Sequence, residues 1–326
     1  MKPLNQVMDD YLRAVRLARS KNTADTYSYA INAFNEMLVA NGIDAHVISP
    51  RDLSEDAVAW FAAWLKDYAP ATESLYLTAI AAFYEFLAAE RITDPNLQRV
   101  RLLIRHRARR PGLRLPQFPK NDIDTIINYA NKIASNPAEN PEEHLRSLRD
   151  RAFLLVLADT GLRVHEACAL RRGDLDWNEG KAIIIGKGNR QAVVRFSQRS
   201  LKALRDYLSI RSQVDGGAGR PLATLPLFAR HDRGAGKKIK PITTATGRNI
   251  VNQRVKEALG EQAVGSITPH SFRHYFVTTV LQVSGGNLKL AQELARHRNI
   301  AVTQRYAHLS DEELDRGYWD IFEDNK

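Results

Sequence analysis

Thr160-Gly161-Leu162-Arg163-Val164-His165-Glu166 stands directly behind the apolar run Phe153-Leu154-Leu155-Val156-Leu157-Ala158, and the architecture of the chain turns on this junction. The run from Arg149 to Asp159 predicts a buried helix, and Thr160-Gly161 is a stop signal for it. A short helix follows from Val164 to Leu170. Arg163 sits between the two, so its stem is expected partly in the core. A buried guanidinium needs a partner, and Glu166 lies one turn further on. Such a pair either serves packing alone or holds a cation ready for an anion, and the junction by itself leaves both open.

Downstream, Lys181–Ile185 and Gln191–Phe196 are β-prone runs joined by Gly186-Lys187-Gly188-Asn189-Arg190, which predicts a hairpin. Helices are expected over Leu201–Ser212, Thr246–Leu259, Thr268–Val283 and Leu288–His297, with a short amphipathic helix at Asp311–Phe322. The stretch Asp215–Lys240 is rich in Gly, Pro and Lys and reads as mostly loop. Upstream, Asn121–Ile133 reads as a helix, followed by a polar loop through Pro141.

The first hundred or so residues show helical periodicity and no strand alternation. Segments are expected at Val7–Ala18, Thr23–Ala40 (ending at Asn41-Gly42), Ser54–Tyr68 with Ser54 as N-cap, and Thr72–Ala89. Four helices with short connections predict a compact helical module. Between the halves, Arg99–Arg114 carries seven arginines and no acidic residue, with Pro111 and Gly112 breaking regular structure. It reads as a basic linker, either a solvated charge run or a contact to a DNA backbone. Arg105, Arg107, Arg109 and Arg110 are its candidate contacts.

The chain of 326 residues has net charge +10 and is long enough for about two domains. The excess of Lys and Arg points to a polyanionic partner or to a merely basic protein. The single cysteine, Cys168, excludes an intrachain disulfide and is expected as a small core residue. No apolar run approaches the length of a membrane span, and no signal pattern opens the chain, so a cytoplasmic protein with no membrane association is expected.

Metal and nucleotide chemistry find no support: there is no His-Glu-x-x-His, no paired cysteine set, and Gly186-Lys187-Gly188 lacks the spacing of a phosphate loop. No cofactor and no metal are expected. In Thr268-Pro269-His270-Ser271-Phe272-Arg273, Thr268 suits an N-cap and Pro269 the first helical position. His270 and Arg273 then share one face of the first turn, where the helix end favours anions. Further on come Ala295-Arg296-His297 and Thr303-Gln304-Arg305-Tyr306-Ala307-His308. A tyrosine hydroxyl becomes a nucleophile only with a base nearby and cations on its target. Each of these features alone reads more simply as packing, a surface ion pair or a solvated turn lysine.

Together, in this order and at these gaps, they resemble the tyrosine recombinase (phage integrase) family, in its Xer-like and mobile-element branches. The family pattern is Thr-Gly-Leu-Arg-x-x-Glu, a Gly-Lys-Gly hairpin, His-x-x-Arg-His, then Leu-Gly-His and a Tyr nine residues later. The matching positions are Thr160–Glu166, Gly186–Gly188, His270–His274, and His297 with Tyr306. Ala295-Arg296 departs from the usual Leu-Gly, which puts the local backbone in question and offers an added DNA contact.

The resemblance implies a mainly α fold with a small antiparallel β-sheet. It pairs a SAM-like helical core-binding domain (1–104) with an α+β catalytic domain (120–310), joined by the linker 105–119 and followed by a C-terminal helix (311–326) for protomer contact. It implies a site-specific recombinase that cleaves and rejoins double-stranded DNA at paired sites through a 3′-phosphotyrosyl intermediate and a Holliday junction. Tyr306 would be the nucleophile, Arg163 and Arg273 the phosphate clamp, Lys187 the acid for the leaving oxygen, His270 the base, His297 a phosphate donor and Glu166 a support for Arg163. His274 is expected to be structural and His308 a minor participant. A tetramer on DNA, or a paralogous partner recombinase, is implied, acting in the cytoplasm on the nucleoid. The alternatives are a silent DNA-binding protein of this fold and a type IB topoisomerase-like enzyme.

Overall fold

The computed structural model describes residues 2–109, 120–136, 140–186, 190–231 and 239–304. The chain divides into two compact units, Met1–Arg114 and Leu115–Lys326. As expected, the architecture is mainly helical with one small antiparallel sheet.

The first unit is built from α1 (Leu4–Ala18), α2 (Lys21–Ala40), α3 (Asp56–Trp64), α4 (Pro70–Ala89) and α5 (Leu97–Arg107). Ser20 caps α2 by accepting from the Thr23 amide, and Gly42 takes the left-handed conformation (φ 76°) that turns the chain after it. The apolar stripes meet in one core around Phe34, Met37, Phe61, Phe83 and Tyr84, each at most 1% exposed. Helix α3 begins at Asp56, not at Ser54. The Ser54 carbonyl instead accepts the Tyr84 hydroxyl at 2.8 Å, which pins the start of α3 to α4.

The stretch read as a linker from Arg99 starts as a helix. Asn96 Oδ1 caps α5 by accepting from the Arg99 amide (2.9 Å), and Val100, Leu103 and Ile104 pack on the core. Five of its eleven residues are basic, and that density hides a short apolar stripe from a periodicity reading. Arg99 pairs with Glu55 (3.3 Å) and Asp56 (2.7 Å), and Arg101 with Glu85 (2.8 Å). Arg109 is held still more firmly. Its Nε donates to the fully buried Glu73 (2.5 Å), and its Nη2 to the carbonyls of Leu65 (3.2 Å) and Tyr68 (2.5 Å). Arg109 is thus an internal brace, whereas Arg105 and Arg107 are exposed. Arg110 lies outside the described residues.

The second unit contains α6 (Lys120–Ser135), α7 (Pro141–Thr160), α8 (Val164–Ala169), α9 (Gln198–Asp215), α10 (Thr244–Leu259), α11 (Pro269–Val283), α12 (Leu288–Ala295) and α13 (Ile300–Gln304). Helix α7 is the central post, packed by α6, α9 and α11. It starts at Pro141, earlier than its apolar run, because Asn140 caps it and Arg149 and Asp150 are buried as a pair (2.7 Å) that Arg254 joins (2.7 Å). The sheet has the order β1-β2-β3, with β1 Leu175–Asp176, β2 Lys181–Gly186 and β3 Arg190–Arg195. Its register pairs Ile184 with Ala192 and Ala182 with Val194. The hairpin tip with Lys187 lies outside the described residues.

The stretch 215–240, expected to be mostly loop, puts Leu225, Leu227, Phe228 and Ala229 into the core. A buried charge organises it. Arg211, fully buried, donates to both oxygens of Asp215 (3.0 Å) and to the carbonyls of Pro226 and Leu227 (2.9 Å each), and Arg172 reaches the same carboxylate at 2.6 Å. Such a partner is invisible to local composition. The expected tail helix Asp311–Phe322 lies outside the described residues.

Candidate catalytic site

The end of α7 shows why Thr160-Gly161 has to be those residues. Gly161 closes the helix in the left-handed region (φ 58°, ψ 24°). Thr160 Oγ1 donates to the Val156 carbonyl (2.6 Å) and accepts from the Leu162 amide (3.2 Å), so the chain reverses within two residues. A Cβ at position 161 would overlap the Phe276 ring of α11. Gly161→Ala therefore meets both a strained backbone and a clash, together about 3 kcal/mol. The expected result is a thermal midpoint lowered by roughly 10 °C, checked by calorimetry.

The turn delivers Arg163 to the start of α8. Its amide donates to Glu166 Oε2 (2.8 Å) and its Nη1 to Oε1 (2.9 Å). Glu166 is 3% exposed and Arg163 44%, so the carboxylate is the buried anchor and the guanidinium faces outward. Burial alone would raise the Glu166 pKa, but the bonds from Arg163 and the nearby Arg296 outweigh it and hold the carboxyl below its ordinary value.

Arg273 approaches from the first turn of α11, where the Thr268 amide donates to Ser271 Oγ (3.1 Å) and Pro269 opens the helix. Its guanidinium is almost wholly buried. Nη1 donates to the Gly161 carbonyl and Nη2 to the Ala295 carbonyl, which ties the α7–α8 junction to the end of α12. His297 follows α12 and its Nδ1 lies 2.9 Å from Thr303 Oγ1, a fully buried hydroxyl on α13. His270 packs its ring on His274 at 4.3 Å. The structure thus brings Arg163, Glu166, His270, Arg273 and His297 together from three separate stretches of chain. Lys187 and Tyr306, and with Tyr306 the neighbouring His308, lie outside the described residues.

One contributor escaped the sequence reading, and another has a different role from the one expected. Thr303 orients His297, and its only sequence signal is its position six residues further on. Arg296 was expected as an added DNA contact, and instead turns inward. It takes the left-handed conformation (φ 58°, ψ 42°) that a glycine would adopt there, and its side chain is 11% exposed.

The three histidines share an electrostatic fate. Burial, then Arg273, Arg163 and Arg296, hold His297 down at about 4, and burial with His270 and Arg273 holds His274 at about 4. His270 is lowered as well, by burial and by Arg273 and Arg163. All three are neutral at pH near 7. For a histidine whose folded pKa lies below its unfolded value of 6.5, the unfolded chain takes up more protons as pH falls. The stability of the second unit is therefore full above 6.5 and is lost progressively toward about 4. The urea midpoint of its unfolding is expected to fall between pH of about 7 and about 5, and His274→Gln is expected to flatten that slope. Cys168, whose thiol burial pushes up to about 12, takes no part. Among the described residues no cluster of three metal-ligating side chains occurs, and no helix is long and apolar enough to cross a membrane.

These side chains lie in a mainly helical unit with a small β-sheet, and the protein is a tyrosine-type site-specific DNA recombinase. The chain belongs to the phage integrase family, whose model matches residues 117–313. Its relatives include the tyrosine recombinase XerC of Leptospira interrogans, 27% identical over 319 residues, covering 97% of this chain and 92% of that one. The XerC of Treponema denticola is 28% identical over 331 residues, covering 97% and 98%. Among solved structures, the XerH site-specific recombinase bound to palindromic difH substrate matches with a TM-score of 0.67 at 18% identity, covering 92% of this chain and 80% of that one. The Tn1549 transposon integrase in complex with transposon right end DNA matches with a TM-score of 0.67 at 17% identity, covering 98% and 99%. At these identities the structural likeness carries the fold.

Proposed function

We propose that this site-specific recombinase cleaves DNA with Tyr306. The Tyr306 oxygen attacks the scissile phosphorus, the bond from phosphorus to the 5′-oxygen breaks, and a 3′-phosphotyrosyl link forms. The observation that carries the reading is the tethering of Arg273 to the Gly161 carbonyl, two residues from Arg163. It fixes the Arg273 guanidinium beside the turn that carries Arg163 before substrate arrives; in this reading the two cations grip one phosphate, and little reorganisation accompanies charge build-up on its nonbridging oxygens. Neutral His270 suits the acceptor of the phenol proton, since its depressed pKa keeps it unprotonated near neutral pH. His297, with Nδ1 engaged by Thr303, presents its other ring nitrogen to a phosphate oxygen. Lys187, at the hairpin tip, protonates the leaving 5′-oxygen. The ester energy stays in the phosphotyrosine, so a 5′-hydroxyl from a second strand rejoins without a nucleotide or a metal.

In this reading the first unit is the core-binding domain, and exposed Arg105 and Arg107 with Arg110 follow the DNA backbone. Phosphate contacts of this kind set the register of a clamp, and base contacts choose the site. The apolar side chains of the segment 311–322 dock on a neighbouring protomer in a tetramer assembled on paired sites, or on a paralogous recombinase, in the cytoplasm. The test is covalent capture: nicked duplexes from a randomised pool are incubated with the purified chain, and protein-linked DNA is recovered under denaturing conditions. Recovery of one recurrent site supports the reading. Recombinant products from two copies of that site separate a recombinase from a relaxing enzyme, and binding without any adduct would point to a silent DNA-binding protein.

A further inference from the structure

Arg296 occupies a position where the backbone asks for glycine. It closes α12 with a left-handed residue, the His297 amide donating back to the Gln292 carbonyl at 3.0 Å. A non-glycine residue there carries a cost of about 1–2 kcal/mol, so its side chain has to return something to this chain. That side chain lies across the site. Nη2 donates to the Gly161 carbonyl (3.2 Å), and Nη1 to those of Leu294 (3.1 Å) and Thr160 (3.4 Å). Nη2 also stands 3.7 Å from Glu166 Oε2, which accepts the Arg163 amide, while Oε1 of the same carboxylate accepts the Arg163 guanidinium.

Two guanidinium groups, those of Arg273 and Arg296, therefore share the Gly161 carbonyl, and two, those of Arg163 and Arg296, share Glu166. Arg296 is the one side chain among the described residues with a place in both pairings. It spans from the junction that carries Arg163 to the turn that carries His297. Its own burial lowers the affinity of the guanidinium for its proton, and Glu166 opposes that effect.

We propose that Arg296 is a positioning residue for the recombinase reaction, a strut that holds Arg163, Arg273 and His297 in register on one phosphate. The proposal rests on the recombinase reading above. It predicts that the side chain matters in proportion to the charge the arginines must grip. Rigid registration of groups around a phosphate is worth about a hundredfold in rate per ångström of misplacement.

The test uses the full chain and the duplex recovered by covalent capture, with either a normal phosphate or an uncharged methylphosphonate at the scissile position. Arg296→Gly accepts the left-handed backbone without cost, and Arg296→Asn, which also tolerates it, is the second variant. Both are expected to melt within a few degrees of the parent chain and to bind the duplex within about threefold of it, since neither phosphate grip nor backbone is removed. Adduct formation in a single turnover is expected to fall about 30-fold on the phosphate. On the methylphosphonate, which offers the arginines no paired charge, the deficit relative to the parent shrinks to under about threefold. Arg296→Lys, too short to serve three carbonyls, restores only part of the rate.

A parent-like rate for Arg296→Gly and Arg296→Asn overturns the proposal. So does an equal deficit on both substrates, which a packing role alone would produce, or full restoration by lysine, which would leave charge as the whole effect. Failure of the parent chain to yield any covalent adduct from the randomised pool removes the recombinase reading, and the strut with it. That outcome is read in the parent and the others in the variants, so the two failures stay distinct.

Discussion

Tyr306→Phe is expected to abolish covalent capture of DNA while leaving DNA binding intact. The substitution removes one oxygen, and with it the only atom that attacks phosphorus in the proposed reaction. A hydrolytic route through water would leave no protein-linked product. The rate should drop by at least about 10⁴-fold, the scale seen when a nucleophile that acts as part of a unit is removed. Binding rests on Lys and Arg contacts to many phosphates and should change by less than about twofold. The measurement is a denaturing gel of end-labelled nicked duplex beside a native mobility-shift titration. A shifted band that persists under denaturing conditions with Tyr306→Phe would assign the attack to another residue.

Arg273→Lys is expected to be nearly as damaging, for a reason only the structure supplies. Arg273 is 2% exposed, and its two Nη atoms already hold the carbonyls of Gly161 and Ala295. Lysine keeps the charge but loses the planar fork. Its ammonium cannot span both carbonyls as the fork does; the Gly161 oxygen keeps Arg296 as a donor, but an Ala295 oxygen left without one costs about 1–3 kcal/mol. The same change removes a fixed cation from the phosphate pocket. Cleavage should fall by about 10²–10³-fold, the range for losing one preorganised donor to a developing charge. A thermal midpoint lowered by several degrees should accompany it. The decisive comparison is between cleavage and affinity: adduct formation in a single turnover should collapse while the dissociation constant for the duplex moves by less than about tenfold. Equal losses in both would make Arg273 a binding residue and would remove the clamp from the mechanism.

Some parts of this architecture are set by adjacent residues and others by distant partners, and only the former are written in local sequence. The Thr160–Glu166 turn was legible because its chemistry is local. A left-handed glycine, a threonine closing the helix end and a carboxylate three residues after an arginine are constraints that a few adjacent residues satisfy among themselves. The helices with broad apolar stripes were legible for the same reason, with boundaries off by a few residues where caps such as Asn140 lie outside the stripe. Helix α5 was obscured because its basic residues outnumber its buried ones, and it is held by partners as distant in sequence as Glu55 and Glu85. The core role of 225–229 was hidden behind Arg211, a charged residue that periodicity assigns to the surface.

The order and spacing of the site motifs, the mainly helical character and the family are properties of the amino-acid sequence, since each depends on residue identity and short-range periodicity. What tertiary structure alone decided is where the charges go. Arg109 braces Glu73, Arg211 holds a buried strand-like segment, and Arg296 turns from solvent into the site. A guanidinium carries the same charge in every context. Whether it faces water, a carboxylate or a carbonyl is set by which remote acceptors folding brings within reach, because a buried cation is tolerated only where such partners compensate its lost hydration.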